Sequence, residues 1–462
     1  MNVATRDSGQ ARVVVVTSRF EGCNRGVQLN SRGNGSFEAT VERCAFRRGS
    51  FGAIEATAST KIALRVTEST MLGNDRGIVV DSLGAGFALY TVTLGDNLIT
   101  DCTHAGLSLD IDGQPVSPPT WNIRCSRNRY ERCEENYVVR LGAFVYGVFV
   151  SDGEISRRSN GAGMNFTVAA PSPQLNCTVQ NAIVTEAARR GLSVAGLGVL
   201  QGRFLTLADH QGPAIDLFAG GKLDLDHSVL DNAYAPELRT GTGQLTMRYT
   251  SSRSALYAGV GNLMADPQLL RPHYKLSAAS PCIDAGQANV AAPPLDYEGD
   301  ARVLTTKTAR VDLGADEYSP VGSTRSFGAP GFGHQNGLLP KIELVSTDAR
   351  IGTRVRLGLQ GAVDRRGAAA PAAVLLFGVG ERLPVIDLAA AGAPGNVVYS
   401  DPLFFGAAVG IDAVGRASFD LDIPNQPSLI GSVSAAQWLV VDRGANALGL
   451  VTSDSYRITI GQ

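Results

Sequence analysis

Charge is scarce in this chain. Asp, Glu, Lys and Arg make up 18% of 462 residues, the two signs nearly cancel at a net −2, and no long basic block occurs. The electrostatic footprint of a nucleic-acid binder is missing, so no nucleic-acid partner is expected. Apolar runs are short, and none approaches the roughly 18–20 residues of a membrane span. The histidines (His104, His210, His227, His273 and His334) sit in unrelated contexts, and nothing signals a Ser-His-Asp triad. Seven cysteines are scattered without a C-x-x-C pair. That excludes zinc-ribbon and thioredoxin-like readings and leaves buried, unpaired thiols as the default. Amphipathic helical segments are nearly absent, which argues against leucine-rich and helical repeats.

What is abundant is glycine, at 53 residues, in a background of 6% aromatics. That mixture suits an all-β protein with many turns. A block of glycine, apolar, any, apolar returns as Gly26–Leu29, Ala53–Ala56, Gly77–Val80, Gly106–Leu109, Asn136–Val139, Gly163–Phe166, Gly191–Val194 and Ala214–Leu217. The separations drift between 23 and 30 residues, in the range of solenoid repeats. Second and fourth positions are always apolar and the third mostly polar, the alternation of a short strand with one face in a core. Glycine or asparagine at the first position suggests a left-handed bend there. Each block follows a strand-like stretch ending in a large apolar residue such as Phe20, Phe46 or Met71. The expected fold is a right-handed parallel β-helix.

Stacking places equivalent residues about 4.8 Å apart in successive coils. The column after the block reads Asn30, Thr57, Asp81, Asp110, Arg140, Thr167, with Asp112 close by in sequence. Asp81 and Asp110 are thus expected as stacked carboxylates beside Arg140.

Beyond the coils, Asp266-Pro267, Ser280-Pro281 with Asp284 and Gly286, Asp296 with Gly299 and Arg302, and Asp312 with Gly314, Ala315 and Glu317 form a connected pattern. It resembles the end of bacterial parallel β-helix proteins of the choice-of-anchor Q type. The resemblance covers Asn262 to Tyr318; the coils before it match in pattern alone. It implies a terminal cap over 271–318 closing coils at 1–270, with "SPCIDAG" (280–286) as a lid over the last coil. Arg302 is expected to pair with Asp312 or Glu317, and Asp284 to cap its own turn. Only eleven residues precede the strand Arg12–Val16, and the start lacks the basic and apolar regions of a signal peptide. The chain reads as the later part of an exported protein, or as one with a misplaced start, and its expected location is extracellular or at a cell surface.

Residues 319–337 are rich in Gly, Ser and Pro and read as a linker. From 338 to 462, "KIELVS", "TRVRLGLQGA", "AVLLFGVG", "NVVYSD", "ASFDLDIP", "AQWLVVDR" and "YRITIG" alternate with turn signals, the pattern of a β-sandwich. This part is similar to small carboxy-terminal modules of secreted myxobacterial and planctomycete proteins.

No catalytic site stands out. Hydrolysis of a glycan needs two carboxylates about 5–9.5 Å apart in a groove. Asp81, Asp110 and Arg140 are the alternative catalytic candidates, yet such a trio is more often a solvated, charge-balanced ladder. Asp224, Asp226 and His227 stand close together in ordinary coil vocabulary, and the signatures of polygalacturonase-like hydrolases are missing. Lysine, a possible base for elimination, occurs before the cap only as Lys61 and Lys222. "DIDG" (110–113) is a fragment of a calcium loop lacking its downstream glutamate, so calcium is a weak expectation and no other cofactor or metal is foreseen. Trp121, Tyr130 and Tyr146, with Asp112, are the candidate glycan-binding residues, while Tyr137 reads as core. The leading reading is a non-catalytic β-helix that binds a polysaccharide or cell-surface component. A polysaccharide lyase or glycoside hydrolase is the alternative, and a structural spacer the third.

Overall fold

In a computed structural model, all residues are described except 6–8, 33, 59–60, 83–88, 113–119, 143–144, 170–174, 288–291, 303–309, 319–321, 329, 332–338, 345–348, 364–369, 402–404 and 462. The chain divides into two compact units, Met1–Tyr318 and Ser319–Gln462.

The first unit is a parallel β-solenoid. Its described strands form three sheets of ten, ten and eleven strands, each strand pairing with its equivalents one coil before and after. The first sheet carries the repeated block and runs from Asn2–Thr5 to Leu238–Arg239. The second runs from Gln10–Val16 to Gln244–Arg248, and the third from Arg19–Glu21 to Leu263–Met264. Alternate residues point inward into one continuous apolar column: Ile54, Ile78, Leu107, Tyr137 and Met164 stack from coil to coil with no exposure.

The glycine column is real, but its cause differs from the expected one. Gly26, Gly77, Gly106, Gly163 and Gly191 are not among the residues with positive φ. Their role is close approach. A Cβ on Gly77 would lie 2.2 Å from the Gly106 carbonyl oxygen, and one on Gly106 would lie 2.6 Å from that of Asn136. The left-handed bends sit elsewhere, at Arg43, Glu68, Asp96 and Arg127 after the second sheet and at Asp101, Arg132, Arg158, Glu186 and Asp209 after the third. Each of these residues extends the ladder: Arg43 N–H donates to Thr67 O at 3.1 Å, and Asp101 N–H to Glu131 O at 3.0 Å. Inter-coil hydrogen bonds thus compensate the bend.

The segment expected as an end lid takes another route. Between Leu269 and Tyr318 its described residues run back along the outside of the third sheet. Outward-facing Ile183, Ala208 and Val229 pack there against Leu276, Tyr297 and Leu313 in a core separate from the coil interior. Fully buried Arg302 lies 4.1 Å from the Phe204 ring centre. It donates to Asn181 Oδ1 at 2.6 Å and to the Ala315 carbonyl at 2.8 Å, and pairs with Glu317 at 3.5 Å. Asp312 takes the amides of Asp284 (2.7 Å) and Tyr318 (2.6 Å), so the Asp284 turn is held by Asp312. "SPCIDAG" is a flank fastened to the side of the coils, because the third sheet leaves apolar residues facing out.

In the second unit, five-stranded and three-stranded antiparallel sheets share one core. Trp438, in the larger sheet, donates from Nε1 to the Gly358 carbonyl of the smaller at 3.0 Å. Ser323–Phe327, inside the stretch read as linker, is a strand paired with Leu450–Thr459; its alternation is too short to stand out from the glycines around it.

Two predictions follow from this packing. Gly77→Ala should destabilise the protein by about 1–3 kcal/mol in urea unfolding, because the new methyl meets backbone. Gly73→Ala, with φ +63° and nothing within 4 Å of a Cβ, should cost less, about 1 kcal/mol. Equal losses would show that the close approach is not what selects glycine at position 77. The second prediction concerns pH. Burial pushes the Glu154 carboxyl up to about 8 and also holds Asp312, Asp316 and Glu317 above their ordinary range. The folded state therefore holds these protons more tightly than the unfolded one. Their contribution is complete below the ordinary carboxylate range and is lost as pH climbs through about 8. The unfolding midpoint should fall between about pH 5 and pH 9, and Glu154→Gln should flatten part of that slope; an unchanged slope would contradict the buried-acid account.

Candidate functional site

Where the third sheet turns toward the first, three charged residues follow successive strand ends: Arg158 after Ile155–Arg157, Glu186 after Ile183–Thr185, and Asp209 after Thr206–Ala208. All three have positive φ, near +51° to +57°, and their amides extend the ladder to Thr185, Ala208 and Asp231. That conformation turns the side chains out of the coil. The returning flank lays Arg271, Pro272 and Tyr274 against them, and Gln211 and Tyr234 complete a cleft of about 760 Å³.

Tyr274 sits at its centre. Its hydroxyl lies 3.2 Å from Glu186 Oε1 and 2.9 Å from Asp209 Oδ2. Arg271 grips both oxygens of Asp209 at 2.5 and 2.8 Å and reaches Asp231 at 3.0 Å. Arg158 holds Glu186 at 2.8 Å. The pairs continue along the solenoid. Toward the N-terminus Glu131 takes Arg132 at 2.8 Å and Arg158 at 3.7 Å, and Arg132 takes Asp101 at 2.7 Å. Toward the C-terminus Arg253 joins Asp231 to Asp266.

The electrostatics decide what the cleft can do. Burial works to raise the Asp209 pKa, but hydrogen bonds from Arg271 and Tyr274, with the charge of Arg271, outweigh it and hold the carboxyl below its ordinary value. Burial and the charges of Glu186 and Asp209 push the Tyr274 phenol up, so it stays a donor. The shared phenol keeps an oxygen of Glu186 within about 6 Å of one of Asp209, no farther apart than the carboxylates of glycosidase pairs. Spacing alone does not suffice. A general acid needs a raised pKa, and here one carboxylate is lowered and the other is paired with an arginine. What remains is a ring of planar donors and acceptors around a space open to solvent. Tyr234, 76% exposed, is the most accessible aromatic group there.

The sequence-predicted residues lie on the first sheet. Asp81 pairs in register with Asp110, and Asp110 with Arg140, as the column requires. Arg140 Nη1 is 3.4 Å from Asp110 Oδ2, with the side chains 57% and 49% exposed, so the pair contributes little to stability. Burial, then the charge of Asp110, raises the Asp81 pKa. Exposed Asp112 donates its amide to Ser82 Oγ at 2.8 Å. Residues 83–88, 113–119 and 143–144, which follow these strands in sequence, lie outside the described residues, Gly113 of "DIDG" among them.

Two aromatic candidates are corrected. Trp121 is 2% exposed and stacks on Tyr90 at 3.8 Å, and Tyr130 is fully buried at 5.3 Å from Tyr137. Both point inward by strand alternation and cannot meet a sugar at the surface. Tyr146, the first residue of Tyr146–Asp152, is half-buried. His227 is buried between Phe204 and Tyr249, with Nδ1 2.8 Å from Asp226 and Nε2 accepting the Gln287 amide at 3.0 Å. Both ring nitrogens are engaged, and its role is to fasten the flank. Among the described residues no group of three or more His, Cys, Asp or Glu could hold a metal ion.

The cleft was missed. One signal was available, since a charged residue closes the third strand at 101, 132, 158, 186 and 209. The path of the flank, which supplies Arg271 and Tyr274, leaves no periodic trace.

No protein-family model and no curated protein matches this chain. One solved structure that resembles it is the crystal structure of the enzymatically active domain of tailspike protein 2 from bacteriophage CBA120. The two share 9% identity over 99% of this chain and 72% of the other, with a TM-score of 0.27. The solenoid is therefore read from its own strand register, and the site from its own residues.

Proposed function

We propose that this is a non-catalytic, glycan-binding β-helix protein of the extracellular space or cell surface, and that it takes saccharide in the cleft between the third sheet and its flank. The observation that carries the reading is Tyr234, an exposed ring lining the same cleft as the paired planar groups of Arg158, Glu186 and Arg271. An aromatic face offers apolar contact to the C–H face of a sugar, and oriented carboxylates and guanidinia match its hydroxyls. The cleft's charges are largely paired with one another, which favours neutral saccharides over polyanions. The choice-of-anchor Q resemblance of Asn262–Tyr318 supports the same location. We read the second unit as a β-sandwich module for surface attachment, or a further carbohydrate contact.

A second reading keeps one observation of its own. Asp81, raised by burial and by Asp110, resembles the unequal carboxylate pairs that act as acid and base. In that reading the first-sheet column belongs to a polysaccharide lyase or glycoside hydrolase, with calcium as a possible cofactor for elimination.

Both readings meet in one experiment. The full chain is incubated with a panel of insoluble neutral and acidic polysaccharides, with and without calcium, and retention, new reducing ends and unsaturated products are followed. We expect retention on a neutral glycan without depolymerisation, weakened about tenfold by Tyr234→Ala and unchanged by Asp110→Asn. Product formation abolished by Asp110→Asn would replace the binding reading with the enzymatic one. Retention unaffected by Tyr234→Ala would remove the cleft from the binding reading.

A further inference from the structure

Cys102 and Cys133 occupy the same position in neighbouring coils. The strands before them pair in register, Thr100 opposite Glu131. Beyond these strands, Asp101 N–H donates to Glu131 O at 3.0 Å and Glu134 N–H to Cys102 O at 3.2 Å. The two-pronged Arg132–Asp101 ion pair, with both contacts at 2.7 Å, clamps the turns from outside. Inter-strand spacing of about 4.8 Å falls within the Cα separation found across disulfides. Both side chains face inward, at 2% and 0% exposure, and the two thiols are directed alike, Cys102 Sγ 3.9 Å from the Thr100 carbonyl and Cys133 Sγ 3.7 Å from that of Glu131. Among the described register pairs no other cysteine faces a cysteine.

At two other positions of this column a side chain serves the neighbouring coil: Asn74 accepts the Gly49 amide at 2.9 Å and His210 that of Ala187 at 3.2 Å. A thiol is a poor acceptor, so Cys102 and Cys133 do not serve in that way. The chemistry they offer instead is a covalent link between coils.

We propose that Cys102 and Cys133 form a disulfide when the chain folds in an oxidising environment, with a small-molecule disulfide such as oxidised glutathione as oxidant. One cysteine thiolate attacks a glutathione sulfur, forming a mixed disulfide and expelling a glutathione thiolate. The second cysteine thiolate attacks the protein sulfur of that mixed disulfide, forming the Cys102–Cys133 bond and expelling a second glutathione. Two electrons pass from the cysteine pair to the oxidant, and the two thiol protons end on two molecules of reduced glutathione. The reactive species is the thiolate, and the neighbouring Cys133 thiol together with burial raises the Cys102 pKa well above its ordinary value. Exchange therefore precedes closure of the coils, and the folded, reduced protein resists the oxidant.

The full chain, refolded from denaturant in a glutathione redox mixture, is alkylated, digested and mapped by mass spectrometry. We expect one dominant cross-link, 102 to 133, with the other cysteines alkylated. Oxidation should raise the unfolding midpoint in the wild-type chain and leave it unmoved in Cys133→Ser. Protein exported to a bacterial periplasm should give the same map without refolding. Seven alkylated cysteines from both preparations, or Cys102 and Cys133 spread over several partners, would overturn the proposal. Rapid cross-linking of the folded, reduced chain would overturn the order of events.

Discussion

Each inner strand of the solenoid takes its hydrogen bonds from the coil before and the coil after, at one fixed spacing, so no residue can be placed without placing a column. A residue suited to its own coil still has to tolerate its equivalents about 4.8 Å away on both sides. The block glycines show the constraint at its tightest, since Gly77 is there for the sake of the Gly106 carbonyl and not for its own torsion angles. Inside, the same rule organises polar groups. Ser69 N–H donates to Asn97 Oδ1, Asn97 N–H to Asn128 Oδ1, and Asn128 N–H to Glu154 Oε1, so each turn amide is satisfied by the coil that follows. The ladder ends on a carboxyl that burial keeps protonated into mildly alkaline conditions.

Charge is subject to the same rule. Like charges stacked in one column repel, and burial, with the charge of Asp110 added to it, lifts the Asp81 pKa. Along the turn after the third sheet the sequence avoids this by exchanging sign. Asp101 is followed by Arg132 and Arg158, with Glu131 between them, then by Glu186 and Asp209, with Arg271 arriving from the flank. Pairs of this kind contribute little singly at an exposed surface. Joined into a network and half-covered by the flank, they hold side chains in fixed directions, which is the property a binding cleft requires.

Columns are what the sequence makes legible. The repeat placed Asp81, Asp110 and Arg140 in register from spacing alone, because the period of the apolar alternation and the register of the strands are the same physical quantity. Side-chain direction was legible in principle and misjudged for Trp121 and Tyr130. Both stand on inward positions of their strands, where alternation outweighs the expectation that aromatics near long insertions face a ligand. The flank was legible as a motif but not as a place. Ser280, Asp296, Arg302 and Asp312 mark fixed turns, yet nothing local says that Arg302 will end against Phe204 and Asn181 in coils far earlier in the chain. Contacts of that separation are set by which apolar surface remains uncovered, and outward-facing Ile183, Ala208 and Val229 supply it.

That dependence links the fold to the cleft. Arg271 and Tyr274 reach Asp209 and Glu186 only because the segment behind them is docked by Arg302 and by the buried acids around it. The carboxylates so gathered share one phenol, and each is held by an arginine. Catalysis by two acids requires environments that drive their pKa values apart, whereas here arginines neutralise both and a phenol bridges them. An arrangement that fixes Arg158, Glu186, Asp209, Arg271 and Tyr274 against one another has little freedom to move a proton. The proposed binding of a flexible, uncharged chain of hydroxyls rests on that contrast.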